Sequence, residues 1–196
     1  MSQPGRIIIL SGPSGAGKTT LHDRLLRDPR FKGHLVRSVS ATTRAPRGGE
    51  RHGRDYFFLT RKMFEHKIRT GQFLEWMKVF DNYYGTPLKN VRAMQKRGRH
   101  VLLCIDVKGA GVVKQEVPDA LMVFVKTPTL EVLRRRLVAR GTDSPQSIAL
   151  RLKTAGAELK KAPAYDHVIV NGDLEAAYAR LAEVVASLTF PSGCVI

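Results

Sequence analysis

At 196 residues the chain is long enough to bury a full core as one domain with insertions. Its formal net charge of +16 would attract polyphosphates of any kind, but the basic residues are spread out, with no Lys/Arg tail and no aromatic-interleaved single-strand motif; this argues against a nucleic-acid-binding protein and for a basic surface with several arginines devoted to small phosphate ligands. Cys104 and Cys194 belong to no metal-spaced cluster, Cys194 misses the prenylation spacing, and no signal peptide or membrane-length apolar run is present, so a cytoplasmic setting is expected.

The apolar run Ile7 to Leu10 predicts a short buried strand, and Thr20 to Arg27 the helix that follows. Between them Gly12, Pro13, Ser14, Gly15, Ala16, Gly17, Lys18 and Thr19 form a complete G-x-x-x-x-G-K-[ST] phosphate-binding loop. The order follows from the chemistry. Glycines let backbone N–H groups close around phosphate, the helix N-terminus favours negative charge, Lys18 reaches the outer phosphates and Thr19 can ligate magnesium. A nucleoside triphosphate ligand is therefore expected.

Leu35 to Thr43 reads as a strand running into a basic, turn-rich loop, Arg44 to Glu50. Tyr56 to Leu59 and Phe73 to Phe80 read as further strands, with a helix from Arg61 to Thr70 between them, giving a strand-rich insertion. A helix from Pro87 to Arg97 returns the chain to the core, where His100 to Ile105 and Leu121 to Lys126 are buried strands. Thr129 to Arg140 and Pro145 to Lys161 are helical, the second with Ser144 as N-cap and Pro145 in its first turn. Val168 to Val170 and the helix Leu174 to Ser187 close a layered α/β fold, leaving a short tail.

Six segments stand in the order found in guanylate kinases: Ser38 to Arg47, Gly53 to Phe57, Phe73 to Trp76, Asn82 to Gly85, Arg140 to Thr142 and Val168 to Asn171. The chain resembles that family from the glycine loop to the last helix. The resemblance implies a P-loop three-layer parallel-sheet core (1–36, 87–130 and 162–190), a strand-rich GMP-binding domain (37–86), a helical lid (131–161) and a tail (191–196). It implies transfer of the terminal phosphoryl of ATP to GMP or dGMP with Mg2+. No nucleic-acid or membrane partner is expected, and the protein would work as a monomer or small homo-oligomer.

Guanine offers N1–H and an exocyclic amine as donors and O6 as acceptor, so its pocket needs a carboxylate and a hydroxyl on one edge. By resemblance Glu75 and Asp106 are the carboxylates and Ser40 and Thr86 the hydroxyls. Adenine would leave such buried groups unpaired, which rejects it. Arg44 and Arg47 can clamp the acceptor phosphate, with the phenols of Tyr56 and Tyr84. Arg136 and Arg140 lie one helical turn apart and can point together into the cleft. The resemblance makes Arg140 and Arg151 the bridge between donor and acceptor phosphates, leaves Arg134 and Arg135 as solvated neighbours, and sets Asn171 beside the adenine.

One position departs from the family pattern. Where two acids usually bracket an apolar residue at a strand end, this chain has Cys104, Ile105 and Asp106. A neutral thiol cannot hold magnesium through water as an acid there often does, so magnesium would rest on Thr19, the phosphates and water. The competing reading is a thiol that merely packs in the core. A catalytically dead binding module is the alternative function, but such modules usually lack the loop lysine that Lys18 supplies.

Overall fold

Every residue of Ile7–Ser11 (β1) is buried, as befits a strand covered on both faces. In a computed structural model of the chain, which describes residues 3–79, 81–141 and 143–190, β1 runs through the glycine loop into helix α1 (Lys18–Arg27) and then β2 (Leu35–Arg37). The chain next builds a second sheet from β3 (Ala41–Thr42), β4 (Phe57–Phe58), β5 (Phe73–Val79) and β6 (Asn82–Pro87), with α2 (Arg61–Arg69) between β4 and β5. It returns through α3 (Leu88–Lys96), β7 (His100–Cys104), α4 (Val107–Glu116) and β8 (Leu121–Lys126). Helices α5 (Leu130–Ala139) and α6 (Pro145–Leu159), strand β9 (His167–Val170) and helix α7 (Leu174–Thr189) complete it.

The first sheet is five-stranded and wholly parallel, in the order β2-β7-β1-β8-β9. Alternate residues of β1 point to opposite faces. Ile8 and Leu10 join Leu21 and Leu25 of α1 and Leu181 and Val185 of α7 in one core layer. Ile7 and Ile9 join Val91 of α3, Val113 of α4 and Phe124 of β8 in the other. A small third cluster, Leu133, Leu137 and Ala155, holds α5 to α6. The second sheet has the order β4-β3-β6-β5 and is antiparallel except for the β3–β4 pair.

Three local features differ from the sequence expectations. The strand expected from Leu35 to Thr43 is two strands in different sheets: Ser38 N–H donates to the Leu102 carbonyl of the first sheet, while the Ser40 carbonyl accepts from Phe57 N–H of the second. An even β-branched pattern hides that change of partner, because the sheet crossing leaves no Gly or Pro. β6 carries the Asn82 to Gly85 segment as a strand that periodicity did not announce, since its exposed and buried positions do not alternate cleanly. Helix α4 was also unannounced, because Gly109 and Gly111 dilute its helical signal. The expected strand end at Phe80, Thr142, the tail 191–196 and Cys194 lie outside the described residues.

Phe124 is fully buried in β8, edge-on to Tyr165 at 4.9 Å between ring centroids. Phe124→Ala should cost about 3–5 kcal/mol of unfolding free energy. Urea denaturation of the two proteins measures this; a loss below 1 kcal/mol would mean the face below β8 can collapse around the missing ring.

Candidate active site

The glycine loop is shaped by close backbone approach. Gly12 leaves β1 at φ 131°, and a Cβ there would lie 2.1 Å from the Val125 carbonyl oxygen of β8. A Cβ on Gly17, also at positive φ, would meet the Asn171 amide nitrogen at 2.2 Å. Neither site admits a side chain. Helix α1 begins at Lys18 with no side-chain cap and no acid in its first turn, so its N-terminal N–H groups remain available to an anion. Lys18 Nζ donates to the carbonyls of Gly12 at 2.6 Å and Pro13 at 2.9 Å. Burial pulls its pKa down, while the nearby Cys104, Glu158 and Asp106 oppose that shift.

Asn171 follows β9 and is 3% exposed. Its Nδ2 donates to the Ala16 carbonyl at 2.8 Å, tying the loop to the sheet. Its Oδ1 is buried without a hydrogen-bond partner among the described residues. The amide therefore faces the loop and not the open cleft.

On the other side of the β7 end, Ser40, Tyr56, Glu75, Tyr84 and Asp106 line one cavity of about 200 Å³. Glu75 is 6% exposed, on β5 of the second sheet. The fully buried Thr86 donates its hydroxyl to Glu75 Oε1 at 2.6 Å. Thr86 thus aims the carboxylate. Gly109 approaches so closely that a Cβ there would stand 2.8 Å from Glu75 Oε2. Burial first, and the Asp106 charge in addition, push the Glu75 pKa up to about 7, against the pull of Thr86. Asp106 has a structural task as well: its Oδ1 caps α4, accepting from the N–H groups of Lys108 and Gly109 at 2.8 Å each.

The two expected phosphate clamps differ in fixity. Arg44 is held by both oxygens of Glu50, at 2.9 and 3.0 Å, with its guanidinium 5.5 Å from the centroid of the Tyr56 ring. Arg47 is exposed, although its N–H also donates to Glu50, at 2.7 Å. Above the loop, Arg151 of α6 donates to Asp143 at 3.1 and 3.2 Å and to the Ser14 hydroxyl at 3.2 Å. Arg136 donates to the Gly172 carbonyl at 3.3 Å. Arg140 ends α5 within electrostatic reach of Lys18. Arg134 is paired with Glu131 on the surface. Sequence reasoning did not single out Glu50, Asp143 or Glu158, the half-buried α6 acid beside Lys18. Their signal is faint: an acid within eight residues of a cleft arginine for the first two, and none for Glu158.

Cys104 faces the cleft. It shares a cavity with Thr19 on one side of the β7 end and lines a second cavity on the other, its sulfur senses Lys18, and burial raises its pKa. The thiol is therefore not part of either core layer.

The family model described as guanylate kinase matches residues 4–188. A guanylate kinase of Rubrobacter xylanophilus is 46% identical over 181 residues, spanning 92% of this chain and 93% of that protein. One from Lactococcus lactis is 44% identical over 185 residues, spanning 94% and 89%. A crystal structure of guanylate kinase from Anaplasma phagocytophilum aligns with a TM-score of 0.78 at 33% identity, covering 98% of this chain and 90% of that one.

The raised pKa of Glu75 makes a signed prediction. Its ordinary value is 4.5 and its folded value about 7. Below the ordinary value the carboxyl is protonated in folded and unfolded chains alike and has no effect. As pH rises toward 7 the unfolded chain ionises first, so stability falls by about 3 kcal/mol in total. Glu75→Gln should abolish that loss: the variant should match the native protein near pH 4.5 and exceed it at pH 8. Urea unfolding at both pH values reads the difference, and a pH-independent offset would show that Glu75 is not the titrating group.

Proposed function

The chain belongs to the guanylate kinase family, and we propose that it carries out that family's phosphoryl transfer with the side chains that meet around the end of β7. It is an ATP:GMP phosphotransferase. A phosphate oxygen of GMP attacks the γ-phosphorus of ATP, the bond to the β-phosphate oxygen breaks, and GDP and ADP result. The observation that carries this reading is the convergence of the glycine loop, the buried carboxylate pocket and the α5–α6 arginines on one strand end.

In this proposal the α1 N-terminus and Lys18 hold the donor phosphates, and Lys18 leaves its loop carbonyls for them. Asn171 keeps the loop in shape through Ala16. Glu75, as carboxylate, accepts from guanine N1–H and the exocyclic amine, with Asp106 and the Ser40 hydroxyl beside it, while Thr86 holds Glu75 in place. Nothing in that set reads the ribose 2′-hydroxyl, so dGMP is an acceptor too. Arg44, Arg47, Tyr56 and Tyr84 grip the acceptor phosphate. Arg136, Arg140 and Arg151 neutralise charge on the transferring group, and closure of 131–161 over residues 37–86 and the core excludes water. Since the protein contributes position and charge rather than covalent chemistry, prealigned guanidinium groups matter most. Acid partners such as Glu50 and Asp143 supply that alignment.

An oxygen donor set fits magnesium: the Thr19 hydroxyl at the head of α1, with phosphate oxygens and water as the remaining ligands. A magnesium ion held there would supply charge neutralisation at the donor phosphates. Among the described residues no helix is long and apolar enough to cross a membrane. A cytoplasmic enzyme, working as a monomer or small homo-oligomer, fits a chain whose own residues build both substrate pockets and whose Cys104 is a free thiol.

Two measurements test this assignment. ADP release with GMP, dGMP, AMP and no acceptor should show turnover with the guanine nucleotides and very little with AMP; Glu75→Gln should erode the GMP preference by about 1–3 kcal/mol. Equal turnover of AMP and GMP by the native chain would remove the reading. Lys18→Ala should abolish transfer while GMP binding, measured by calorimetry, stays close to native, since the acceptor pocket draws on other elements. Undiminished transfer in that variant would refute the donor role of the loop.

A further inference from the structure

Cys104 occupies the strand end where an acid often fixes the water around magnesium in P-loop enzymes. The structure brings another acid to the same place. Asp23 lies four residues after Thr19 on α1, on the same helix face. Thr19, His22, Asp23, Ser38, Ser40 and Cys104 are among the residues lining one polar cavity of about 280 Å³. Thr19, Asp23 and Cys104 thus face one space, and the Asp23 charge acts on the Cys104 sulfur. The carboxylate therefore reaches the neighbourhood that a strand-end acid at 104 would serve.

Asp23 is also held in one orientation. His22 Nδ1 lies 2.8 Å from Asp23 Oδ1, and the His22 side chain is 4% exposed against 41% for Asp23. A buried ring donating to one carboxylate oxygen leaves the other free of it, on a residue that lines the cavity. Among the described residues no Lys or Arg lies within 4 Å of that carboxylate, although the chain has 33 such residues. Arg37, the arginine of the cavity lining, donates to the Asp55 carbonyl at 3.0 Å. An acid left without a cation in so basic a protein, on a fixed side chain beside the metal-ligating hydroxyl, has the chemistry of an outer magnesium contact. A direct cage is not at issue: no group of three or more His, Cys, Asp or Glu that could hold a metal exists among the described residues.

We propose that Asp23, oriented by His22, is the positioning acid that stands in for the carboxylate absent at Cys104, fixing through water the magnesium held at Thr19 and the donor phosphates. The inference rests on the phosphotransferase reading given above. Its test uses the full chain, Mn2+ as the probe ion and a non-transferable ATP analogue, with bound metal read by electron paramagnetic resonance. Asp23→Asn should weaken Mn2+ binding to the enzyme–analogue complex about tenfold, in the range found for outer-layer partners of metal sites, while analogue binding without metal, GMP binding and thermal unfolding stay near native. Adding Cys104→Asp to Asp23→Asn should restore Mn2+ affinity to within about threefold of native. Cys104→Asp alone, in a chain that already has Asp23, should change it by less than about threefold.

Native-like Mn2+ affinity in folded Asp23→Asn, failure of the second acid to rescue it, or a tenfold gain from Cys104→Asp alone would each overturn the proposal. Transfer to GMP by the native enzyme, run alongside, separates the two readings: its absence would sink the phosphotransferase assignment, whereas its presence with an unaffected Asp23→Asn would sink this inference only.

Discussion

The backbone contact between Gly12 and the Val125 carbonyl is the constraint from which the rest of the cleft follows. With no room for a Cβ, the chain leaving β1 must turn flat against β8. That turn delivers the α1 N-terminus, uncapped and free of acids, to the mouth of the parallel sheet. Parallel strands end on one side, so the ends of β1 and β7 bring the pair Lys18 and Thr19 together with Cys104 and Asp106 from a distant part of the chain. Asn171 after β9 locks the same loop through Ala16, and Leu133 and Leu137 of α5 lie against Gly15, so the arginine-bearing helices are packed on the loop they serve.

Charge in this protein is organised by pairing rather than by sum. The cleft arginines that are held in place each have an acid of their own, Glu50 for Arg44 and Asp143 for Arg151. Such partners restrict guanidinium rotamers before substrate arrives, which lowers the entropy lost on binding. The cleft acids outside such ion pairs behave differently, even Glu158 with Lys18 nearby. Glu75 and Glu158 are desolvated and their pKa values rise. A buried carboxylate with only a threonine hydroxyl for company destabilises the folded chain at neutral pH, and a ligand with two donors relieves it. In the proposed acceptor pocket, binding and selectivity draw on the same unfavourable burial.

The core strands and most helices were legible from residue patterns, because burial on both faces writes continuous apolar runs and capping writes Ser144 ahead of its helix. The phosphate loop was legible for a stronger reason: backbone geometry admits only glycine at its tight points, so the motif is nearly its own structure. The division of Leu35 to Thr43 between two sheets was not, since strand propensity reports extension and says nothing about which neighbour supplies the hydrogen bonds. Nor was α4, whose glycines are tolerated because Gly109 must stand against Glu75.

Among the proposed site residues, the sequence by itself supplied the glycine loop and, through the resemblance, the acids, hydroxyls and arginines proposed for the acceptor. Only the tertiary structure decided what each one touches: Thr86 holds Glu75, Asp106 caps α4, Asn171 braces the loop, and Cys104 faces Thr19 and not the core. It alone set Asp23 beside Thr19 and Cys104, since Cys104 is 81 positions away from Asp23 along the chain. The physical reason is one of range. Propensity, capping and backbone strain act within a few residues and are written locally, whereas desolvation, hydrogen-bond partnership and electrostatic company depend on which distant segments the sheet brings together.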